Sequence, residues 1–319
     1  MTEANPGLLR IGSRGSQLAL WQASHIAGKL RAQGHEVSIE IIRTTGDAMQ
    51  HVTFAQVGSK GMFTKEIEEA LLENRIDLAV HSLKDLATQL DPGLELAATL
   101  TREDPRDALL SRDGVGLKNL PKGARVGTSS LRRRAFLSRT RPDLQLLELR
   151  GNVPTRVERL KKGDYDAIVL AAAGLRRLGL QDQISELLLP DDFPPAVSQG
   201  VIGVACRADD AETLRWLRPL DDQAARLAAT AERALLRRLE GGCQVPLGAL
   251  GTAIGGTLHL YAAVCSLDGS EWLTARGEIV SSLEHAVTLG QRLADDLLAK
   301  GAGRLIAHER ASHLQAEEP

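Results

Sequence analysis

The sequence predicts an α/β protein of three units, two of which form paired lobes with a cleft between them. Short apolar runs alternate with helical segments through the first part of the 319 residues, which indicates parallel strand–helix units rather than an all-β fold. Two polar, proline-containing breaks, at 101–106 and 189–195, bracket a middle unit. A third unit starts near Asp221.

The first unit contains two strand–helix repeats and ends on a buried strand. Ile67, Ala70, Leu71 and Asn74 share one face of its strongest helix. The predicted elements are a strand at 8–11, a helix at 17–31, a strand at 37–42, a helix at 64–74 and a strand at 76–80.

The same alternation restarts in the middle unit and continues into the third. The middle unit predicts strands at 125–127, 144–149 and 166–172, with helices at 130–138 and 153–162 between them. A further apolar run at 201–205 predicts a strand after the second break. The third unit predicts helices at 223–238 and 283–300, with a strand at 258–267 between them.

The composition indicates a folded, cytoplasmic protein. Hydrophobic residues make up 43% of the chain and charged residues 25%. Three cysteines without paired spacing argue against a disulfide framework or structural zinc, and eight histidines without HExxH spacing predict no metal. The first residues do not resemble a signal peptide, and no apolar run approaches the roughly 20 residues of a membrane span.

The charge is unevenly distributed and points to an anionic ligand. Between Lys122 and Arg177 there are 14 basic and 5 acidic residues, whereas the whole chain has a net charge of −2. Nucleic acid fits poorly, because Phe136 and Tyr165 are the only aromatic residues in this segment and no zinc-finger, basic-zipper or RNA-recognition signature is present. A small ligand with several carboxylates fits better.

Several glycine- and arginine-containing turns follow predicted strands and precede helices. The segment 127–134 offers free backbone N–H groups, three hydroxyls and three arginines, which together favour an anion site over a solvated basic face. Arg150 and Arg156 follow the next strand and would converge on the same rim of the sheet. The glycine-containing turns at 12–16 and 58–63 also precede helices, but each is a weak indication of an anion site on its own. Neither has the residue spacing of a P-loop.

Two further residues are candidates for chemistry. Asp85 follows the buried strand at 76–80, directly after Lys84, and is either half of an exposed ion pair or an ionised group that stabilises a developing cation. The glycines and the proline around Cys243 predict a tight loop. On such a loop the thiol is either a tolerated free cysteine or a reactive one. Cys206 and Cys265 lie in apolar runs typical of buried, inert cysteines.

Eight motifs, in order along the chain, make this sequence resemble the porphobilinogen deaminase family, also called hydroxymethylbilane synthases. The motifs are SRGSQLALWQA (13–23), VGSKGMFTKE (57–66), DLAVHSLKDL (77–86), REDPRDA (102–108), VGTSSLRRR (126–134), LRGNVPTR (149–156), LAAAGLRRLGL (170–180) and LEGGCQVPLG (239–248).

The resemblance implies three domains. Residues 1–101 with 199–219 and residues 102–198 would form two lobes similar to those of periplasmic binding proteins, around a cleft. Residues 220–319 would form a smaller α/β domain that carries Cys243. The resemblance also suggests a monomer, and from the composition and motifs above we expect a cytoplasmic protein that binds neither nucleic acid nor membrane.

The resemblance also implies an enzyme of tetrapyrrole (haem or chlorophyll) biosynthesis. It joins four porphobilinogen molecules head to tail on a dipyrromethane cofactor, loses ammonia at each step and releases hydroxymethylbilane. Asp85 would be the catalytic residue, and Cys243 the thioether anchor of the cofactor. Lys60 and Phe63 would lie on a mobile loop.

The remaining assignments by motif match divide between the cofactor and the substrate. The residues expected to bind the cofactor are Ser82, Lys84, Thr128, Ser130, Arg132, Arg133 and Arg156. The residues expected to bind porphobilinogen are Arg14, Ser16, Gln22, Arg150, Arg177 and Gln199.

Three positions depart from the family pattern. Gln56 replaces a usual lysine, Ala87 a proline, and Ser198 the glycine of a common AVGQG segment. None changes Asp85 or Cys243, so we expect activity, with effects limited to cofactor grip or loop dynamics. Two other hypotheses remain: a non-catalytic two-lobe receptor for a small carboxylated ligand, and a cysteine hydrolase, for which no His–Asp partner set is evident.

Overall fold

The computed structural model describes residues 8–44, 64–239 and 246–307, in which three β-sheets form. The strands are β1 (Leu9–Ser13), β2 (Val37–Ile41), β3 (Leu78–Ser82), β4 (Leu94–Thr99), β5 (Asp107–Ser111), β6 (Arg125–Gly127), β7 (Gln145–Leu147), β8 (Ala167–Ala171), β9 (Glu186–Leu187), β10 (Ile202–Arg207), β11 (Leu247–Ile254), β12 (Thr257–Cys265) and β13 (Trp272–Val280). The helices are α1 (Gln17–Ala32), α2 (Lys65–Leu72), α3 (Leu131–Thr140), α4 (Val153–Lys161), α5 (Ala172–Arg177), α6 (Ala211–Leu217), α7 (Gln223–Arg238) and α8 (Leu283–Ala299).

The first compact unit comprises, among the described residues, 8–44, 64–102 and 201–226. Its sheet has the order β2-β1-β3-β10-β4. The first three strands are parallel, whereas β10 is antiparallel to both of its neighbours. Helix α1 packs on one face of this sheet and α2 on the other, because successive residues of β3 point to opposite faces: Val80 lies in the α1 core and Ala79 in the α2 core.

The second compact unit comprises the described residues 103–200, 227–239 and 246–307 and contains two sheets. The larger has the order β7-β6-β8-β5-β9, with β6, β7 and β8 parallel and β5 antiparallel to both neighbours. Leu109 of β5 packs in the core under α3, and Leu110 in the core under α4 and α5. Both five-stranded sheets therefore share one mixed topology and are covered by helices on both faces.

The third sheet is the antiparallel meander β11-β12-β13, whose core includes residues from α7 and α8. The two helices approach closely at Gly290, where a Cβ would collide with the carbonyl oxygen of Ala231. A glycine is required there because any side chain would push α8 off α7.

The predicted α/β class is confirmed, with two similar sheets and a smaller third one. The strands are less uniformly parallel than the sequence predicts, since each large sheet contains an antiparallel strand and the third is wholly antiparallel. The strand predicted at 76–80 corresponds to β3, which begins and ends two residues later along the chain. Ile76 lies outside this strand and packs against Gly12. The predicted domain boundaries and the cleft stay predictions.

Candidate active site

A polar pocket lies at one edge of the first unit's sheet. Strands β1 and β3 are parallel neighbours, so the turns that follow them meet at the same edge. The pocket is lined by Arg14, Ser16, Leu18, Ala19, Gln22, Thr64, Val80, His81, Ser82 and Asp85. Three predicted substrate residues, one predicted cofactor residue and the predicted catalytic aspartate thus share one pocket.

The start of helix α1 positions two of these side chains. Ser16 is the N-cap, and its hydroxyl accepts a hydrogen bond from the backbone N–H of Ala19 at 3.3 Å. Gln22 lies further along the helix, is buried, and donates from Nε2 to the hydroxyl of Ser82 at 2.8 Å. This bond ties α1 to the end of β3 and fixes both polar groups in the pocket wall.

Asp85 ends a single 3₁₀ turn, Leu83–Asp85, that directly follows β3. Leu83 anchors this turn: its side chain is fully buried and its backbone N–H donates to the carbonyl of Val201 at 2.9 Å. Lys84 is half-buried, whereas Asp85 is exposed at the pocket. The chain therefore holds a carboxylate on a rigid turn while leaving it accessible to a ligand.

Among the described residues that line the pocket, His81 is the one titratable residue that the sequence does not identify as functional. Burial, and secondarily the nearby Arg14 cation, lower the pKa of this imidazole from 6.5 to about 4. His81 is therefore neutral at physiological pH. The only sequence signal is its place in HSLKD, beside Ser82 and Asp85.

The lowered pKa of His81 makes the free energy of unfolding depend on pH, so that the protein becomes less stable as pH falls. The unfolded chain binds a proton near pH 6.5 and the folded protein only near pH 4, so this residue's contribution to the free energy of unfolding is lost as pH falls between those values. We expect wild type to lose about 1.4 kcal/mol per pH unit more than His81→Gln over that range. Urea unfolding at pH 7, 6 and 5 measures the difference; equal slopes would contradict the prediction.

In the second unit, polar turns follow the parallel strands β6 and β7, whereas β8 leads directly into helix α5. The backbone N–H of Thr128 donates to the carbonyl of Leu147. The Ser129 hydroxyl exchanges hydrogen bonds with the backbone of Leu149, at 2.9 and 3.0 Å. Ser130 is the N-cap of α3 and accepts from the Arg133 N–H at 3.4 Å. Of the three hydroxyls predicted for an anion site, that of Ser129 therefore links the ends of β6 and β7, and that of Ser130 caps α3.

Arg132 and Arg133 form a buried cluster with Asp107. The carboxylate of Asp107 is fully buried. Its Oδ2 accepts a hydrogen bond from the Arg132 guanidinium at 2.6 Å, and its Oδ1 accepts one from the Arg133 guanidinium at 2.7 Å. The arginines also donate to the carbonyls of Pro194 and Val169. The two guanidiniums hold the pKa of Asp107 well below its usual range although burial opposes this, and burial lowers the pKa of Arg132. Cofactor binding by this pair stays a prediction.

Gln199 belongs to the same cluster. Its side-chain amide donates to the carbonyl of Pro105 at 2.8 Å and to Asp107 at 3.0 Å. The preceding Ser198 has φ +62°, in the left-handed region that favours glycine, and its N–H donates to the buried Glu232 carboxylate at 2.5 Å. The backbone explains why glycine is common at this position, and the Glu232 bond helps to hold serine there.

Three further predicted arginines lie in the second unit: Arg150 on the turn after β7, Arg156 in helix α4 and Arg177 at the end of helix α5. Arg150 donates to the Glu148 carboxylate at 3.0 Å, and Arg156 to the carbonyl of Gly151 at 2.6 Å. Arg177, at the end of α5, donates to the carbonyl of Gly200 at 2.7 Å, and burial lowers its pKa to about 10. All three follow carboxyl ends of parallel strands, as the sequence predicts for a basic rim.

Four residues of the sequence interpretation lie outside the described residues: Gln56, Lys60, Phe63 and Cys243. Within the described ranges, no group of three or more His, Cys, Asp and Glu side chains is arranged to hold a metal ion. None of the helices described is long and apolar enough to cross a membrane.

Two family models together match most of the chain. Residues 9–215 match the model "Porphobilinogen deaminase, dipyromethane cofactor binding domain", and residues 226–299 the model "Porphobilinogen deaminase, C-terminal domain". The chain belongs to the porphobilinogen deaminase family.

Curated relatives of the porphobilinogen deaminase family match over nearly their whole length. The enzyme of Roseiflexus sp. (strain RS-1) is 54% identical over 301 residues, 94% of this chain and 98% of that protein. The enzyme of Trichlorobacter lovleyi is 50% identical over 303 residues, 94% and 96% of the two chains. Among solved structures, the VFT2 domain of Bordetella pertussis BvgS matches at 15% identity with a TM-score of 0.39, over 66% of this chain and 85% of that one.

The family predicted from the eight motifs is confirmed, and with it the enzyme class, a transferase of tetrapyrrole biosynthesis. The predicted cofactor agrees with the family model, which is that of a dipyrromethane-binding domain. The receptor hypothesis is not favoured, because the chain matches an enzyme family over both of its compact units.

Proposed function

We propose that this porphobilinogen deaminase joins four porphobilinogen molecules in the head-to-tail order of its family, with Asp85 as the catalytic residue. The observation that carries the proposal is the pocket of the first unit, which combines a cation at Arg14 with an exposed carboxylate at Asp85. Porphobilinogen has matching groups: two carboxylates, an aminomethyl group and a pyrrole N–H.

Asp85 supplies negative charge where the substrate develops positive charge. Loss of ammonia from porphobilinogen leaves a cationic methylene-pyrrole, and a fixed carboxylate beside that carbon lowers the barrier. The 3₁₀ turn anchored by Leu83 holds this carboxylate in place before the substrate arrives, so little reorganisation is needed. Asp85 also accepts hydrogen bonds from the pyrrole N–H.

The basic side chains bind carboxylates of the substrate. Arg14 does so in the pocket of the first unit, with Ser16 and Gln22 as neutral hydrogen-bonding groups beside it. In the second unit, Arg150 does so from the turn after β7, and Arg177 from the end of helix α5, which follows β8. Gln199 acts through the Asp107 cluster that it helps to hold.

The residues present fit a dipyrromethane primer, which carries four carboxylates. The Asp107 cluster pairs two guanidiniums with one carboxylate and so has an uncompensated positive charge that favours an anionic ligand. When bound, the primer supplies the pyrrole end to which new units are joined. We propose that Cys243 holds it covalently and that it is bound by Ser82, Lys84, Thr128, Ser130, Arg132, Arg133 and Arg156.

Intact mass tests the covalent site. We expect purified wild type to be heavier than its sequence by two linked pyrrole units, and Cys243→Ser to have the bare mass and no turnover. Cys206→Ala is the matched control, since burial raises the pKa of that thiol to about 12 and keeps it protonated. A bare wild-type mass under cofactor-replete conditions, or an unchanged increment in Cys243→Ser, would contradict the proposal.

The receptor hypothesis differs in one direct measurement. With porphobilinogen, a deaminase forms a linear tetrapyrrole and consumes Ehrlich-reactive substrate, whereas a receptor binds it and leaves it unchanged. We further propose a cytoplasmic monomer that binds neither nucleic acid nor membrane. We also propose domains at 1–101 with 199–219, 102–198 and 220–319.

A further inference from the structure

His81 is placed to contact the substrate, although neither the motifs nor the proposed mechanism gives it a role. It is the fourth residue of β3, pairs with Gly203 of β10, and lines the pocket together with Arg14 and Asp85. Its side chain is only 6% exposed. The sheet therefore fixes the imidazole rigidly in the pocket wall.

The Nε2 atom of His81 is buried and has no hydrogen-bond partner among the residues that the structure describes. The polar groups next to it differ in this respect, because Gln22 and Ser82 are bonded to each other. Leaving a buried polar atom unpaired is unfavourable, and native proteins rarely do so without a compensating reason. A ligand in the pocket can supply the missing partner.

The charge of the neighbourhood indicates which ligand group this partner is. Burial, and secondarily the Arg14 cation, disfavour protonation of His81, so the imidazole is neutral and acts through a hydrogen bond rather than a charge. The same Arg14 attracts a carboxylate into this part of the pocket. An ionised carboxylate only accepts hydrogen bonds, so His81 meets it as the Nε2–H tautomer.

We propose that His81 donates a hydrogen bond from Nε2 to the porphobilinogen carboxylate that Arg14 binds, and so determines which ring substituent occupies this end of the pocket. The proposal rests on the proposed function. It makes His81 a specificity residue, while Asp85 remains the group beside the reacting carbon.

Two substitutions separate hydrogen bonding at Nε2 from other roles of the side chain. The amide nitrogen of glutamine can reach the position of Nε2, whereas asparagine is too short and reaches only the position of Nδ1. For holoenzyme with porphobilinogen, we expect His81→Asn to raise KM by about 10- to 100-fold and His81→Gln by less than about fivefold. We expect kcat to stay within about threefold in both.

Substrate analogues test the specificity directly. In one analogue the acetate is replaced by its carboxamide, and in the other the propionate. Wild type should discriminate strongly against one of them, His81→Gln should keep that preference, and His81→Asn should lose it. Equal KM values and preferences for the two variants would overturn the proposal.

His35 provides a matched control within the same unit. It is also a buried histidine with an unpaired ring nitrogen, Nδ1, but it packs against Trp216 and does not line the pocket. His35→Asn should leave KM and analogue preference unchanged, and an effect as large as that of His81→Asn would overturn the proposal. If wild type failed to consume porphobilinogen, the proposed function itself would be contradicted. This outcome differs from those that overturn the His81 proposal, so the two failures can be told apart.

Discussion

Asp85→Asn is expected to lower the turnover of porphobilinogen by about 10²- to 10³-fold, because it removes the one negative charge placed beside the developing cation. The two side chains are nearly isosteric, and Asp85 is exposed at the end of its turn, so the fold should be retained. Steady-state formation of the tetrapyrrole measures the loss. KM should change less than kcat, since Arg14 and the other cations still bind the carboxylates.

The control for this substitution is Asp91→Asn. Asp91 is an exposed aspartate of the same unit that does not line the pocket, so its charge can be removed without affecting the chemistry. We expect turnover within about twofold of wild type. An Asp85→Asn enzyme with near-normal kcat would remove Asp85 from its assigned role.

Asp107→Asn is expected to destabilise the protein by about 3–5 kcal/mol, the usual consequence of removing one partner from a buried ion cluster. The Arg132 and Arg133 side chains are at most 8% exposed and would keep their charges without a counter-ion. Urea unfolding monitored by circular dichroism measures this loss. The contribution of Asp107 is present above its ordinary pKa of 3.8 and is lost as pH falls below it, because the folded-state pKa is lower still.

Two comparisons keep the Asp107 prediction testable even if the single variant unfolds. Asp164→Asn breaks an exposed pair with Arg159, whose two side chains are 39% and 42% exposed, and should cost at most about 1 kcal/mol. Replacing Asp107, Arg132 and Arg133 together by Leu, Met and Met removes the buried charges and should recover most of the stability. If the Asp107→Asn protein were no less stable than the Asp164→Asn protein, the cluster would not be a buried ion network.

The sequence predicts the longer helices and the parallel strands well because their apolar periodicity is strong, but it does not identify the short helices α5 and α6. Helix α7 has the predicted bounds, and α1 differs from its prediction by one residue at its end. Strands β11 and β13 are missed, since the glycines in LGALGTAI and the charges in WLTARGEIV obscure a strand pattern. Strand β5 is missed because it starts directly after a polar loop and is only five residues long.

The candidate site is also only partly predictable from the sequence. Arg14, Ser16 and Asp85 meet in one pocket because they lie on turns at parallel strand ends, which topology brings together, and Gln22 joins them from helix α1. The role of Asp107 cannot be predicted in this way. In the sequence it stands beside Arg106, whereas its actual partners are about 25 residues away on α3, and only strand order and burial bring them together.

The position of β10 sets the order in which the two large sheets can be completed during synthesis. The five strands of the second unit's large sheet all come from the continuous stretch 107–187. In the first unit's sheet, β10 lies between β3 and β4 but is made about 100 residues after them. On the ribosome, β3 and β4 are therefore without their central partner until residue 207 has emerged, whereas the other sheet can already be complete. The sheet of the N-terminal unit is thus the later of the two large sheets to be completed, with its apolar strand edges needing protection until then.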